Sequence, residues 1–336
     1  VTLIAETVTA RTLRRVAASA FDEYRGRKPL HAFVSQPIRA GRVGGLPYDA
    51  LTTDVINGCL PAASVCYGSC FAARSAFEAG FDFGQRVRNR VDRDLLQADL
   101  DGLPSTQGHL RNGWNSDPSW AWDLALELAE LVVASGRHMI FITKAFREAE
   151  PETLRRFGEL KVEFRVSVSA FDTPGQFAMR HKLLHAARDA GGLGIPQLLS
   201  AQFRAAELNR KQDEIVALFQ GEDFPASENS LRFVPGSPLL DMIDHDACGH
   251  VASTGDLWAG RLYPELVVPT ATSVPSDYRG LESRFGSGND PAHLATLWAD
   301  PVHTNAEVLS GVTFDKPKQC GVAAHLEITD YEPMLD

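Results

Sequence analysis

The sequence predicts an α/β protein built on a parallel sheet. Three observations predict it. Strand-length apolar runs recur from residue 51 to residue 234. Most are followed by a segment of helical periodicity long enough to be a crossover, as a parallel pair requires. With 336 residues, 44% hydrophobic and 23% charged, the chain also has enough apolar material for a sizeable core. About six strand–helix units fit either an incomplete barrel or an open doubly wound sheet.

The elements follow in order. Residues 1–50 read as an extension, with a surface helix over 9–24 that carries Arg11, Arg14 and Arg15. Residues 51–56 form a first strand, closed by the Asn57-Gly58 turn signal. Residues 71–80 and 86–99 read as helices, and 108–113 as a second strand. Leu and Ala line one face of a helix over 120–135, which Gly136 ends. A third strand follows at His138–Thr143, a short helix at 152–157 and a fourth strand at 162–169. A helix over 175–190 precedes Gly191-Gly192, then a fifth strand at 195–201 and a helix at 206–219. A sixth strand is expected at 231–234. After Pro238 periodicity fades into Pro-, Gly-, Asp- and His-rich sequence with weak strands near 265–268 and 311–314. This divides the chain into an extension (1–50), a sheet domain (51–240) and a covering region (241–336) where substrate specificity would reside.

Composition excludes several classes. No apolar run approaches the roughly 18 residues of a membrane span. A net charge of −10 argues against a general phosphate-backbone binder, and therefore against a nucleic-acid partner. Five cysteines are too few for a disulfide scaffold, and Val1-Thr2-Leu3-Ile4-Ala5-Glu6 lacks a secretory signal's basic start. The expectation is a cytoplasmic enzyme acting on a small molecule.

Three of the five cysteines lie within twelve residues, directly after the first strand: Asn57-Gly-Cys59-Leu-Pro-Ala-Ala-Ser-Val-Cys66-Tyr-Gly-Ser-Cys70-Phe71. Ligands of parallel α/β sheets collect beyond the strands' C-terminal ends, so this loop can gather three thiols around one centre. Thiolates suit zinc or iron–sulfur clusters. Structural zinc takes four ligands in repeated close pairs, whereas only Cys66 and Cys70 are close here and no fourth ligand is near. Three thiols with one open iron fit a cluster that meets a substrate or cofactor. A zinc-stabilised α/β binding protein or hydrolase is the alternative.

These residues resemble the radical S-adenosylmethionine (SAM) superfamily. Its usual signature is Cys-x₃-Cys-x₂-Cys with an aromatic before the last cysteine, in the loop after the first strand of a partial (β/α)₆ barrel. This chain differs, with Cys59-x₆-Cys66-x₃-Cys70 and an aromatic, Tyr67, after the middle cysteine. The resemblance covers about residues 50–240. It implies a partial (β/α)₆ TIM-like barrel and a [4Fe–4S] cluster on Cys59, Cys66 and Cys70. It also implies SAM chelating the open iron, and a one-electron donor such as flavodoxin or ferredoxin. The cofactors carry the radical chemistry while the protein positions and shields.

Further positions follow from the same resemblance. A SAM-amine motif after the second strand matches Asn115, Ser116 and Asp117, although Ser116-Asp117-Pro118-Ser119 also makes an ordinary helix cap. Tyr67 is a candidate for the adenine. Lys144, at the third strand's end, can pair with a carboxylate at the mouth. On the fourth strand Val162, Phe164, Val166 and Val168 share one face, so Arg165, Ser167 and Ser169 point toward a polar lumen. Gln197, Ser200 and Val234 are adenosine candidates.

In the covering region, Asp241 to His250 is dense in metal-ligand types and includes Cys248, and Cys320 is the other lone thiol. Either thiol could return a hydrogen atom to a substrate radical, as in an epimerase. His181 and His185 have zinc-compatible helical spacing, but no carboxylate or cysteine lies beside them in sequence, so they read as helix surface. The combined expectation is a radical SAM enzyme acting on a small polar nucleoside or sugar intermediate of natural-product biosynthesis. A spore-photolyase-like reaction on nucleic acid is the alternative within that class.

Overall fold

The first predicted strand forms its own small ribbon. In the computed structural model, β1 (Ile56–Asn57) pairs antiparallel with β2 (Val87–Arg88). The cause is the turn that follows. Gly58 has φ of 77°, and a Cβ there would lie 2.1 Å from the Gln85 carbonyl oxygen. The chain therefore presses against residues 83–85, where Cys59 N–H donates to the Phe83 carbonyl at 2.8 Å. Described are residues 29–40, 54–59, 70–103, 109–113, 116–233 and 240–244, with 250–251, 257–258, 262–263, 266–268 and 303–304. The expected helix at 9–24, the strand at 311–314, and Cys66, Tyr67, Asn115, Val234, Cys248 and Cys320 lie outside them.

Helix α1 (Phe71–Glu78) follows the cysteine loop, capped by Cys70. The expected helix over 86–99 instead begins later, as α2 (Arg93–Gly102). The Asp92 side chain accepts from the Leu95 N–H and fixes that start. Residues ahead of it pair with β1 and with the extension, whose Ile38 N–H donates to the Arg90 carbonyl.

The main sheet follows: β3 (His109–Asn112), β4 (His138–Thr143), β5 (Glu163–Ser169), β6 (Leu193–Ser200) and β7 (Ser227–Ser230), all parallel and in sequential order. Between them run α3 (Trp122–Ala134), α4 (Pro151–Glu159), α5 (Pro174–Asp189) and α6 (Ala206–Gly221). Sequential order with right-handed crossovers puts every helix on one face, whereas a doubly wound sheet would reverse its order midway. Packing agrees. Phe141, Phe164, Val166, Val168 and Leu198 share one core with Trp122, Phe157, Phe177, Leu184 and Phe219 from the helices. At its centre Trp122 meets Phe141, Phe157 and Phe164 edge-on at 6.5, 6.0 and 5.8 Å between ring centroids. Such pairs add about 0.5–1.5 kcal/mol each to area burial. The α/β class and barrel-like winding are as the sequence predicts, with five strands in the sheet.

The sixth predicted strand is displaced. β7, the polar segment Ser-Glu-Asn-Ser, takes the sheet edge beside β6. Instead β8 (Arg232–Phe233) joins a three-stranded antiparallel sheet with β9 (His250–Val251) and β10 (Leu257–Trp258), in the order β8-β10-β9. Glu228 secures the polar edge: Ser200 Oγ donates to it at 2.5 Å and the backbone N–H groups of Leu262 and Tyr263 at 2.8 and 3.1 Å. A final ribbon pairs β11 (Val267–Val268), on the weak strand predicted near 265–268, with β12 (His303–Thr304).

Candidate functional site

The C-terminal edge of the sheet is bound together by buried carboxylates. Asp117 caps a 3₁₀ turn (Pro118–Ala121) and braces the end of β4. Its Oδ1 accepts from Ser119 N–H at 2.9 Å, Ser119 Oγ–H at 2.6 Å and Thr143 Oγ–H at 2.7 Å, and its Oδ2 from Lys144 N–H at 2.6 Å. Four donors nearly exhaust a carboxylate's accepting capacity. Asp117 therefore acts structurally in this geometry, which matches the capping half of its sequence reading. Thr143 Oγ accepts from Ala145 N–H at 2.8 Å and holds Ala145 at φ of 49°, a left-handed conformation that costs a non-glycine residue about 1–2 kcal/mol. Lys144 is thus fixed from both sides. Gly113, with φ of 104°, lets β3 turn so close to β4 that a Cβ would meet the Ile142 carbonyl oxygen at 2.1 Å.

Asp54, ahead of β1, ties the cysteine-bearing segment to this edge. It accepts from Gly113 N–H at 3.0 Å and from the Ser116 hydroxyl at 3.3 Å. Ser116 is thereby brought to the mouth, held by protein.

Asp172, three residues past β5, is the second anchor. Ser169 donates to it through N–H and Oγ–H at 2.9 and 3.0 Å, and Arg180 forms a buried ion pair with it. Arg180 Nε donates to the Lys144 carbonyl at 2.8 Å, and Lys211 Nζ to the Asp172 carbonyl at 2.5 Å. Burial, the largest single influence, pushes the Asp172 carboxyl up. The charges of Arg180 and Lys144, with hydrogen bonds from Arg180 and Ser169, together outweigh it and hold the group below the usual carboxylate range. This anchor joins α5, α6 and the ends of β4 and β5.

Among the described residues, several buried polar atoms near this edge make no hydrogen bond, Trp120 Nε1 among them. Asn112, the last residue of β3, is fully buried with both amide atoms unmatched. The Lys144 ammonium is likewise buried without a hydrogen-bond partner. Buried polar groups are nearly always satisfied, so the Lys144 ammonium is free to donate to an incoming acceptor.

Cys59 and Cys70 lie beside the edge, in a small cluster with Ala72, Ala73, Phe77 and Phe83. Trp120 and Phe146 pack against it, stacked at 5.3 Å. Arg86 lies over the Trp120 ring at 4.2 Å. Cys70 Sγ accepts from Ala73 N–H at 3.4 Å at the start of α1, where the helix dipole favours an anionic sulfur. Cys59 and Cys70 thus border the same apolar cluster, while Cys66 lies outside the described residues.

The lumen face is polar along β5, opposite the apolar residues packed on the helices. Arg165 Nε donates to the buried Glu163 at 2.8 Å, and Glu163 also meets His138 at 3.3 Å. This triad draws Arg165 toward the start of β5, away from the mouth. Ser167 is buried and stands in register with Gln197 of β6, which in turn is opposite Ser227 of β7. Ser169 is engaged by Asp172. Ser200 is committed to Glu228.

Sequence reasoning missed Asp54, Asn112, Asp172 and Arg180. No motif marks them: Asp54 and Arg180 reach Gly113 and Lys144 across 59 and 36 residues, and Asp172 lies in the turn after β5. It also missed Glu222, which does lie beside His181 and His185 and corrects their reading as plain helix surface. Of the tryptophans, Trp122 fills core and Trp120 borders the cysteines.

No helix among the described residues is long and apolar enough to cross a membrane. No family model matches the chain, and no curated protein matches it in sequence. Among solved structures it is similar to methylornithine synthase (PylB), at 14% identity and a TM-score of 0.37, over 72% of this chain and 66% of that one. The chain thus spans slightly less than two thirds of that protein's length.

Proposed function

We propose that the chain is a radical SAM enzyme acting on a small polar substrate, with Cys59, Cys66 and Cys70 as cluster ligands. The observation that carries this reading is the placement of Cys59 and Cys70 in one cluster beside a sheet edge with unmatched polar atoms. The residues present fit the cofactors. Cys59 and Cys70 border one apolar cluster, and the Lys144 ammonium can donate to a carboxylate of the kind an amino-acid moiety carries. When bound, the cluster and SAM supply reductive cleavage to a 5′-deoxyadenosyl radical.

The chain's own residues do the rest. Lys144 holds a carboxylate at the mouth, its position fixed by Asp117 on one side and Arg180 on the other. Trp120 and Phe146 wall the cysteines from water, which keeps competing reactions out. The polar lumen of Ser167 and Gln197 gives a nucleoside or sugar hydroxyl groups and an amide to bind. A flavodoxin- or ferredoxin-type protein would provide the electron.

Anaerobically purified protein should contain iron and acid-labile sulfide together, and should form 5′-deoxyadenosine from SAM under reductant. Replacing Cys59, Cys66 or Cys70 by Ala should abolish both. Zinc without sulfide would overturn the proposal and leave a zinc-stabilised α/β protein.

A further inference from the structure

Three ligand atoms converge on one point far from the cysteine loop. His181 and His185 lie one turn apart on α5, and Glu222 caps the C-terminus of α6. His181 Nε2 is 2.8 Å from Glu222 Oε2, His185 Nε2 is 3.1 Å from the same oxygen, and the two ring nitrogens are 3.2 Å apart. A tetrahedral ion with bonds of 2.0–2.1 Å separates its ligand atoms by about 3.3–3.4 Å. The three atoms therefore already stand within a few tenths of an ångström of one face of such a tetrahedron. Hydrogen bonding accounts for them poorly. If both Nε2 atoms carry protons for Glu222, two donors face each other at 3.2 Å.

We propose that His181, His185 and Glu222 form a binding site for a divalent transition ion of the zinc class, with water completing the shell. Two imidazoles and a carboxylate are a zinc donor set. Access is open, since the three side chains are 11%, 30% and 23% exposed. Phe177 and Phe219 flank His181, and Phe224 meets His185 edge-on at 5.0 Å, so an apolar shell limits competition by water. The site sits at the C-terminal ends of α5 and α6, the end of the sheet opposite the strand mouths, where barrel-like folds keep their stabilising features. Its role is to clip α5 to the turn before β7.

Arg188 tunes the site. Its guanidinium lies over the Phe224 ring at 4.4 Å and donates to His185 Nδ1 at 2.9 Å. That bond selects the tautomer with the proton on Nε2, the atom the metal needs bare. Uptake requires the proton to move to Nδ1 and the exposed Arg188 to swing aside.

The test is titration of full-length Cys59→Ser/Cys66→Ser/Cys70→Ser with zinc, followed by calorimetry and thermal unfolding. One equivalent should bind and raise the Tm. Adding His181→Ala or His185→Ala should weaken binding at least about tenfold, while adding Arg188→Ala should tighten it. The cobalt(II) form of the cysteine variant should show d–d bands without thiolate charge transfer. No binding, thiolate charge transfer in that variant, or undiminished binding after His181→Ala/His185→Ala would each overturn the site. Because the cysteine loop is removed as a ligand, none of these readouts depends on what that loop holds.

Discussion

Arg180→Met probes the second anchor of the sheet edge. Arg180 and Asp172 are 1% and 5% exposed at the side chain, so solvent screens neither charge. Removing one partner of a buried pair typically costs about 3–5 kcal/mol, because the other charge is left without compensation. At about 2–4 °C per kcal/mol for domains of 150–250 residues, the Tm should fall by roughly 10 °C. The pH dependence carries a sign. In the wild type the Asp172 carboxyl is depressed. Its contribution is therefore fully present above the unfolded value of about 3.9 and is lost as pH falls through the lower folded value. In Arg180→Met the folded value rises, because only Lys144 and the Ser169 hydrogen bonds still oppose burial, so the deficit is largest at neutral pH and shrinks on acidification as the carboxyl protonates. Adding Asp172→Asn removes the unpaired charge but keeps an acceptor for Ser169, and should recover at least half the loss. Urea unfolding of the two single variants and the double variant between pH 4 and 7 measures all of this. A deficit below about 1 kcal/mol, a deficit independent of pH, or a double variant no better than the sum of the singles would refute the electrostatic account.

Two further perturbations test the rest of the edge. Asp117→Ala leaves four donors of Ser119, Thr143 and Lys144 unmatched and should cost about 3 kcal/mol or more by urea unfolding, with Asp117→Asn less harmful. Gly113→Ala places a Cβ 2.1 Å from the Ile142 carbonyl oxygen in a backbone with positive φ, and should destabilise by more than left-handed strain alone would, about 1–2 kcal/mol, read as a lower Tm. An unchanged Tm would show that β3 can shift away from β4.

The sheet's centre was legible because its signals are local. Residues 138–143 and 163–169 are apolar or alternating runs bounded by turn residues, and α5 opens with Thr173, Pro174 and Gln176, a capping box visible in the chain. The edges were not. β7 is Ser-Glu-Asn-Ser, with no strand propensity, and it pairs because β6 offers a free edge and Glu228 finds three donors. The more apolar Arg232–Phe233 lost that place, since pairing partners override propensity in short strands. The same limit governs the site. The three cysteines and Lys144 carry motif or strand-end signals, but Asp54 acts on Gly113 across 59 residues and Glu222 on His181 across 41. Helical spacing put the two histidines on one face, and only the fold supplied their carboxylate.

The distribution of charge at the sheet edge explains why a ligand is expected there. Every crossover helix lies on one face, so the other face of the sheet has no helix layer of its own to satisfy it. The chain closes most of that deficit internally. Glu163 takes His138 and Arg165, Asp172 takes Arg180, and Asp117 takes the end of β4. Each carboxylate is matched to donors at a defined level of the sheet. At the mouth these pairings leave the Lys144 ammonium, whose charge acts on Asp172, without a hydrogen-bond acceptor. An apolar ligand would leave its protons unmatched, at about 1–3 kcal/mol or more. A ligand carboxylate supplies the missing acceptor. Lys144→Met should therefore weaken binding of a carboxylate-bearing ligand such as SAM more than it weakens binding of the same nucleoside without its amino-acid portion. Equal losses for the two ligands, measured by equilibrium dialysis, would place the carboxylate elsewhere.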